Sequence, residues 1–423
     1  MMVEAGSQYR QEALKPFMEC ALNVWKDTDP GIELVTASQM QKSTIKASKG
    51  KYCKEGGEEL NGQLWSMLPE ELVDRVLAFL PIHSLFRART VCKRWSSIVF
   101  IPEFVDLRAK LSEVGCTEDS YYLMFPSYGE NLDCSAYYPS SGHWQSLPSL
   151  SFLPAQVKTI RQGAGGLLLV LDNRTWVFHV CNPFTKSWRE IPRLTHIGKE
   201  CQTASAMVAA KDSKSYKIIA AGIAHTQVYD SMTNKWTVSS GFPGHLEILM
   251  FRRAVCRGIL YIVALQAQEL NRIGLVAYDV QTSHWMEIED KLPPRFVNGH
   301  VVECGDYVAM VANVCTEERG HTTTTSLHVF KLHPVTKLWI EISRLPDQMF
   351  SEFMEERRLC GYSCVGVDGN VYITCSTGVR VLVFDTTICQ WHWIENCPFP
   401  LNRGDTDGVH AGYSFKPSLN ACA

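Results

Sequence analysis

DSMTNKW, residues 230–236, is one of six windows that close on tryptophan at the seventh position. The others are YPSSGHW (138–144), NPFTKSW (182–188), DVQTSHW (279–285), HPVTKLW (333–339) and DTTICQW (385–391). The chain has 11 tryptophans, so Trp144, Trp188, Trp236, Trp285, Trp339 and Trp391 put more than half of them into one slot. Successive members are 44, 48, 49, 54 and 52 residues apart, and Thr185, Thr233, Thr282 and Thr336 each stand three before the Trp. The window reads as a hairpin. An apolar strand such as QVYD (227–230) or LVFD (382–385) ends on a side chain able to cap a turn, polar residues fill the loop, and the returning strand opens with Trp.

Working outward, each window follows an apolar run bounded by glycine or turn residues. GGLLLVLD (165–172), YKIIAAG (216–222), GILYIVAL (258–265), YVAMVANV (307–314) and NVYITCS (370–376) have strand composition. Pro148, Pro192, Pro243, Pro293, Pro346 and Pro398 close the units. A period near fifty residues with several strands per unit is the pattern of a β-propeller blade, which cannot bury both of its faces alone. Residues 119–418 are therefore expected to form an all-β propeller. Six Trp slots give six blades, and a seventh would need a unit without Trp. The first unit, 119–148, is too short for four strands. The tail GVHAGYSFKPSL (408–419) is placed to supply the missing one and close the ring. The six tryptophans are read as packing between neighbouring blades.

On the N-terminal side the texture changes to helix. In LPEELVDRVLAFLPIHSLFRARTVCKRW (68–95), Pro69 suits a helix start, with Glu70, Glu71 and Asp74 at its positive end. Leu68, Leu72, Val76 and Leu80 recur at a spacing of four, Pro81 stops the helix, and Leu85, Ala88, Val91, Trp95 and Ile98 continue the period. Residues 63–110 thus form a small all-α domain with more apolar surface than so short a patch hides within itself. Residues 1–62, including a possible short helix over 8–26, read as a flexible leader rich in polar residues beyond Asp27.

The totals exclude several classes. Over 423 residues the net charge is −3, which gives no general field for nucleic acid. Arg87, Arg89, Lys93 and Arg94 are offset by Glu70, Glu71, Asp74, Glu103 and Asp106, so a DNA-reading helix pair is not expected. No apolar run reaches 18 residues, so no membrane span is expected, and the start MMVEAGSQYRQEALKPF lacks the pattern of a secretory signal. The 16 cysteines are scattered, without CxxC or metal spacing, and many lie in strand-like runs, as Cys304, Cys315 and Cys375 do. Free, mostly buried thiols in the nucleus or cytoplasm are expected, with no metal and no cofactor. No GxSxG, HExxH or phosphate-cradling glycine loop is present, and no cysteine stands in a recognisable ligase motif.

The ordered set Leu68-Pro69, Leu72, Leu80-Pro81, Leu85 and Val91-Cys92-Lys93-Arg94-Trp95 resembles an F-box. The repeats are similar to kelch units in size and Trp position, although only Gly165-Gly166 keeps the kelch glycine pair. Most of the chain thus resembles the F-box/kelch-repeat proteins, a family especially expanded in plants. The resemblance implies a substrate receptor of a ubiquitin ligase. Its F-box docks on a Skp-type adaptor and, through it, a cullin scaffold, and its propeller binds the protein to be marked. It implies no catalytic residue in this chain. Adaptor contacts are expected from Leu68, Pro69, Leu72, Val76, Leu80, Pro81 and Leu85, with Val91, Cys92 and Trp95 nearer the domain's own core. The span from Phe100 to Glu118 would fix the propeller relative to the adaptor. For the target, Arg252-Arg253 and Arg357-Arg358 are the charged pairs able to take a phosphate or carboxylate. Two rivals stay open. One is an adaptor-bound scaffold that delivers nothing for degradation. The other is a small-molecule sensor, which would show polar residues clustered at the ring's centre.

Overall fold

In the computed structural model, residues 68–113 and, apart from short internal segments, 120–423 are described. The leader 1–62 and the expected helix over 8–26 lie outside the described residues. The chain divides into two units, Met1–Glu118 and Asp119–Ala423.

The first unit holds four α-helices among its described residues: α1 (Glu70–Phe79), α2 (Ile82–Ala88), α3 (Lys93–Ser97) and α4 (Pro102–Glu113), with a 3-10 turn over Ile98–Phe100. Pro69 and Pro81 cap α1 and α2 with extended backbone, φ −54° and −51°, which suits a residue that has no N–H to donate. Val73, Leu77 and Ala78 of α1 turn inward with Leu80, Ile82, Leu85, Ile98 and Phe104. The carbonyls left over at the end of α1 are satisfied from α4. Buried Arg108 donates to the oxygen of Ala78 at 3.0 Å and to that of Leu80 at 2.7 Å. The span after Phe100 is thus largely a helix that belongs to this domain and runs to Glu113, three residues past the expected boundary.

The second unit is six four-stranded antiparallel sheets. Its innermost strands are β24 (Gly412–Phe415), β4 (Thr159–Ala164), β8 (Ala204–Ala209), β12 (Leu246–Cys256), β16 (Phe296–Cys304) and β20 (Tyr362–Val367). Each neighbours the next, and β20 returns to β24, so the ring is a closed six-bladed propeller. The strand-like apolar runs read from the sequence form the second strand of blades two to six, as in Leu167–Asp172 and Tyr216–Ala221. Blade one is built from both ends of the unit. In it β24 pairs with β1 (Tyr121–Met124) in the register Tyr121↔Phe415 to Met124↔Gly412. The tail therefore closes the ring as the sequence suggests. Closure is tight: a Cβ at Gly163 would strike the carbonyl of Ser414, and one at Gly412 would strike the Tyr122 ring.

Apolar clusters fill the spaces between blades two and three, three and four, four and five, five and six, and six and one. Four of the repeated tryptophans clip one blade to its predecessor. Nε1 of Trp236 donates to the Pro192 carbonyl at 2.6 Å, that of Trp285 to Thr226 Oγ1 at 2.9 Å, that of Trp391 to Ser343 Oγ at 2.9 Å and that of Trp144 to the Glu395 carbonyl at 3.2 Å. Trp339 packs on the cluster between blades four and five. Trp188 departs from the expectation: it is 42 % exposed and its ring lies 5.8 Å from His179 of its own blade.

The hairpins behave as read. Asp230, Asp279, Asp385 and Asn182 accept from backbone N–H groups two residues on, at 2.7–3.0 Å. In all six the residue two before the Trp is left-handed: Gly142, Lys186, Asn234, Ser283, Lys337 and Cys389, with φ between 53° and 68°.

Two features carry no sequence expectation. Helix α5 (Asp347–Arg357) interrupts the strands between blades five and six. Phe353 anchors it in the core, and Arg380, stacked on Trp393, pairs with Glu356 at 2.5 Å and Glu352 at 3.4 Å. Beyond β24 the chain continues onto blade two, where Asn182 Nδ2 donates to the carbonyls of Ser418 at 2.8 Å and Ala421 at 3.1 Å. The propeller therefore extends past 418, with Ala421 buried.

Candidate functional site

Helix α1 is apolar on two sides. With Val73, Leu77 and Ala78 committed to the core, the adjoining side presents Pro69 and Leu72, both exposed, beside half-buried Leu68 and Val76. Half-buried Pro81 follows at the turn. Val91, Cys92 and Trp95, expected nearer the core, are half-buried or exposed as well. Leu80 and Leu85 are corrected in the other direction. They are 4 % and 0 % exposed and belong to the domain's own interior, because the Pro81 turn folds α2 back against α1. Two further apolar side chains of this domain are exposed, Phe100 at 59 % and Ile101 at 36 %. Neither was expected, since a 3-10 turn over Ile98–Phe100 breaks the helical period there.

Local bonds hold this face in shape. The Cys92 sulfur accepts from the Trp95 N–H at 3.4 Å, capping α3. Arg94 ties α3 to α1 through Asp74 at 2.6 Å and Glu70 at 3.6 Å. The Arg89 guanidinium lies over Phe86 and Phe100 and donates to the Ser96 carbonyl at 2.8 Å. Arg89 and Arg94, two of the four basic side chains of this patch, are thereby occupied within the domain. The arrangement offers an apolar surface with a fixed outline, suited to a partner's helices.

The arginine pairs separate in the structure. Arg252 and Arg253 lie on β12, the innermost strand of blade four, and both are half-buried. Arg357 closes α5, and Arg358 lies outside the described residues. The eleven described cysteines are free thiols, six of them buried. Burial pushes the thiols of Cys134, Cys181 and Cys304 up to about 12, which keeps them protonated. Among the described residues no three His, Cys, Asp or Glu side chains group as a metal site.

Comparison with known proteins agrees with both halves. The F-box domain family matches residues 65–106, and the KIB1-4 beta-propeller family matches residues 137–364. F-box only protein 6 of Arabidopsis thaliana is 25 % identical over 407 residues, covering 93 % of this chain and 84 % of that one. Protein UNUSUAL FLORAL ORGANS of Arabidopsis thaliana is 25 % identical, covering 86 % of this chain and 87 % of its own. An F-box/kelch-repeat protein of the same plant is also 25 % identical, covering 87 % and 93 %.

Proposed function

Because the chain belongs to the KIB1-4 beta-propeller family and carries an F-box ahead of its blades, we propose that it is the substrate-recognition subunit of a Skp–cullin–F-box ubiquitin ligase. The F-box docks on a Skp-type adaptor and reaches the cullin through it. The propeller holds the protein to be marked. The chain contributes effective concentration and no bond chemistry: it keeps the target beside a charged conjugating enzyme, and other subunits transfer ubiquitin. The carrying observation is the second apolar side of α1, where Pro69 and Leu72 are exposed while the helix has already filled its own core. Leu68, Pro69, Leu72, Val76, Pro81, Val91, Cys92 and Trp95 form the proposed contact set. The free thiols fit the reducing nucleus or cytoplasm, where such a ligase would work.

Co-purification with the adaptor tests the docking step. Replacing Leu68 and Pro69 together with Ala should abolish adaptor recovery while the propeller remains folded. Undiminished recovery overturns the assignment. A target that accumulates when the chain is depleted, and is ubiquitinated less by the double variant, separates a receptor from a scaffold that delivers nothing.

A further inference from the structure

Blade five carries a ribbon that outruns its own sheet. Its middle strands, β17 (Tyr307–Glu318) and β18 (His321–Leu332), are 12 residues each, and the strands on either side of them stop short. On the inner side β16 begins at Phe296, opposite Val314, so 315–318 have no inner strand beside them. On the outer side β19 (Trp339–Arg344) ends at the pair Arg344↔His328. Leu345 adds one bond to the Leu327 carbonyl before the chain turns into α5. Beyond these points the two strands pair only with each other, from Cys315↔Thr324 to Glu318↔His321. A register shift at exposed Thr325 marks the base of this arm and bends the ladder there.

Both edges of the arm are open among the described residues, and they differ in sequence. The β17 edge reads Cys-Thr-Glu-Glu over 315–318. Like charges laid opposite one another repel, and charge is a usual guard on a free edge. The β18 edge reads Thr-Thr-Thr-Thr-Ser over 322–326, without charge or proline and rich in a residue that favours strands. The N–H and C=O groups that alternate along such an edge are matched by another strand. A ribbon of two strands is marginal in water by itself, and three or more are needed for independent stability.

We propose that the 321–326 edge of β18 pairs antiparallel with the same edge of a second copy of this chain, so that two arms form one four-stranded sheet. A two-fold contact must be self-complementary. The threonine run meets that demand. About an axis beside Thr323, Thr322 lies opposite Thr324 of the second copy and Thr323 opposite its own counterpart, and a shift of one residue still sets Thr against Thr at the centre. The order of strands is β17, β18, β18, β17, which leaves Glu317 and Glu318 on the outer strands and off the shared edge. The dimer holds two propellers in one assembly and so raises the effective concentration seen by a bivalent target. The pairing uses no residue of the F-box and does not depend on the ligase reading.

Sedimentation equilibrium on the full chain, from about 5 to 500 µM, tests this. The contact is small beside a standard interface, so a dissociation constant on the order of 100 µM is expected. Thr323→Lys and Thr323→Glu each set like charges across the axis and should weaken self-association at least about tenfold, while an equimolar mixture of the two should restore it. Thr323→Val keeps the strand preference and should leave association intact. Hydrogen exchange of the parent gives a reading free of substitution: amides within 321–326 should exchange more slowly at high concentration than at low. A chain that stays monomeric throughout, a dimer that both charged variants keep, or concentration-dependent protection on α1 instead of the arm overturns the proposal. Protection of the arm by a synthetic HTTTTSL peptide (321–327) in a chain that does not dimerise also overturns it, and assigns the edge to an extended segment of another protein.

Discussion

The indole N–H of Trp236 meets the carbonyl oxygen of Pro192 at 2.6 Å, joining the outer hairpin of blade three to the strand exit of blade two. The ring also lies 6.2 Å from Phe178 of blade two and 5.5 Å from Tyr229 of its own blade. One side chain thus supplies both apolar area and a polar clip across the seam. The same dual role recurs at Trp144, Trp285 and Trp391, though not at Trp188.

Trp236→Ala should therefore destabilise the propeller by roughly 3 kcal/mol, the lower end of the usual range because the ring is only half-buried. Trp236→Phe should cost about 1–2 kcal/mol, since the ring contacts survive and the Pro192 carbonyl loses its donor. Trp188→Ala, at an exposed ring, should cost about 0.5 kcal/mol. Chemical denaturation followed by fluorescence ranks the three. Equal losses at Trp188 and Trp236 would mean that the seam contact does not carry the difference.

A left-handed residue two before each Trp sets a second test. Lys337 and Cys389 hold φ of 55° and 53°, which costs a side-chain-bearing residue about 1–2 kcal/mol relative to glycine. Lys337→Gly and Cys389→Gly should each stabilise the fold by up to about 1 kcal/mol. The converse change, Gly142→Ala, should destabilise it by a similar amount. Space is not the obstacle there, because the added methyl would meet nothing nearer than the Tyr137 hydroxyl at 3.9 Å. Thermal melts of the three variants check the sign.

The ring was legible because its signals are local and repeated. Trp spacing, turn-capping Asp and Asn, and a first unit too short for a blade lead to six blades and a tail that closes them. The F-box was legible as an ordered set. Spacing alone put Leu68, Leu72, Val76 and Leu80 on one apolar face of α1 and could not tell which of them face inward. The structure turns Val73, Leu77 and Ala78 inward and buries Leu80 at the turn that follows, while Leu72 stays exposed. The bond from Arg253 to the Arg161 carbonyl gave no signal within TIRQGA, because it joins strands two blades apart. Helix α5 was hidden in a segment read as strand-dominated. Its anchors, Arg380 and Trp393, lie beyond its own end.

The two sides of the F-box helices should respond differently to truncation. Leu85→Ala empties a fully buried site and should destabilise the domain by about 2–5 kcal/mol. Leu72→Ala, at a side chain 38 % exposed, should change stability by no more than about 0.5 kcal/mol and still weaken adaptor recovery. Circular dichroism melts beside adaptor co-purification resolve the pair. A Leu72 variant that keeps full adaptor binding would remove this residue from the docking face.

Asn182 serves two masters, and an isosteric change should split them. Its Oδ1 accepts from the N–H groups of Phe184 and Thr185, while its Nδ2 holds the carbonyls of Ser418 and Ala421. Asn182→Asp keeps the turn acceptor but turns a carboxylate oxygen toward two carbonyls at a fully buried position. The expected loss is about 1–3 kcal/mol, expressed as faster amide exchange across residues 416–423. Burial beside two acceptors raises the pKa of the new carboxyl above its unfolded value. The folded state then binds the proton more tightly, so the missing stability is regained as pH falls through that raised pKa and lost again as pH rises. Hydrogen exchange followed by mass spectrometry at two pH values reads both effects. A tail that stays protected at neutral pH would show that the two Asn182 bonds do not hold it.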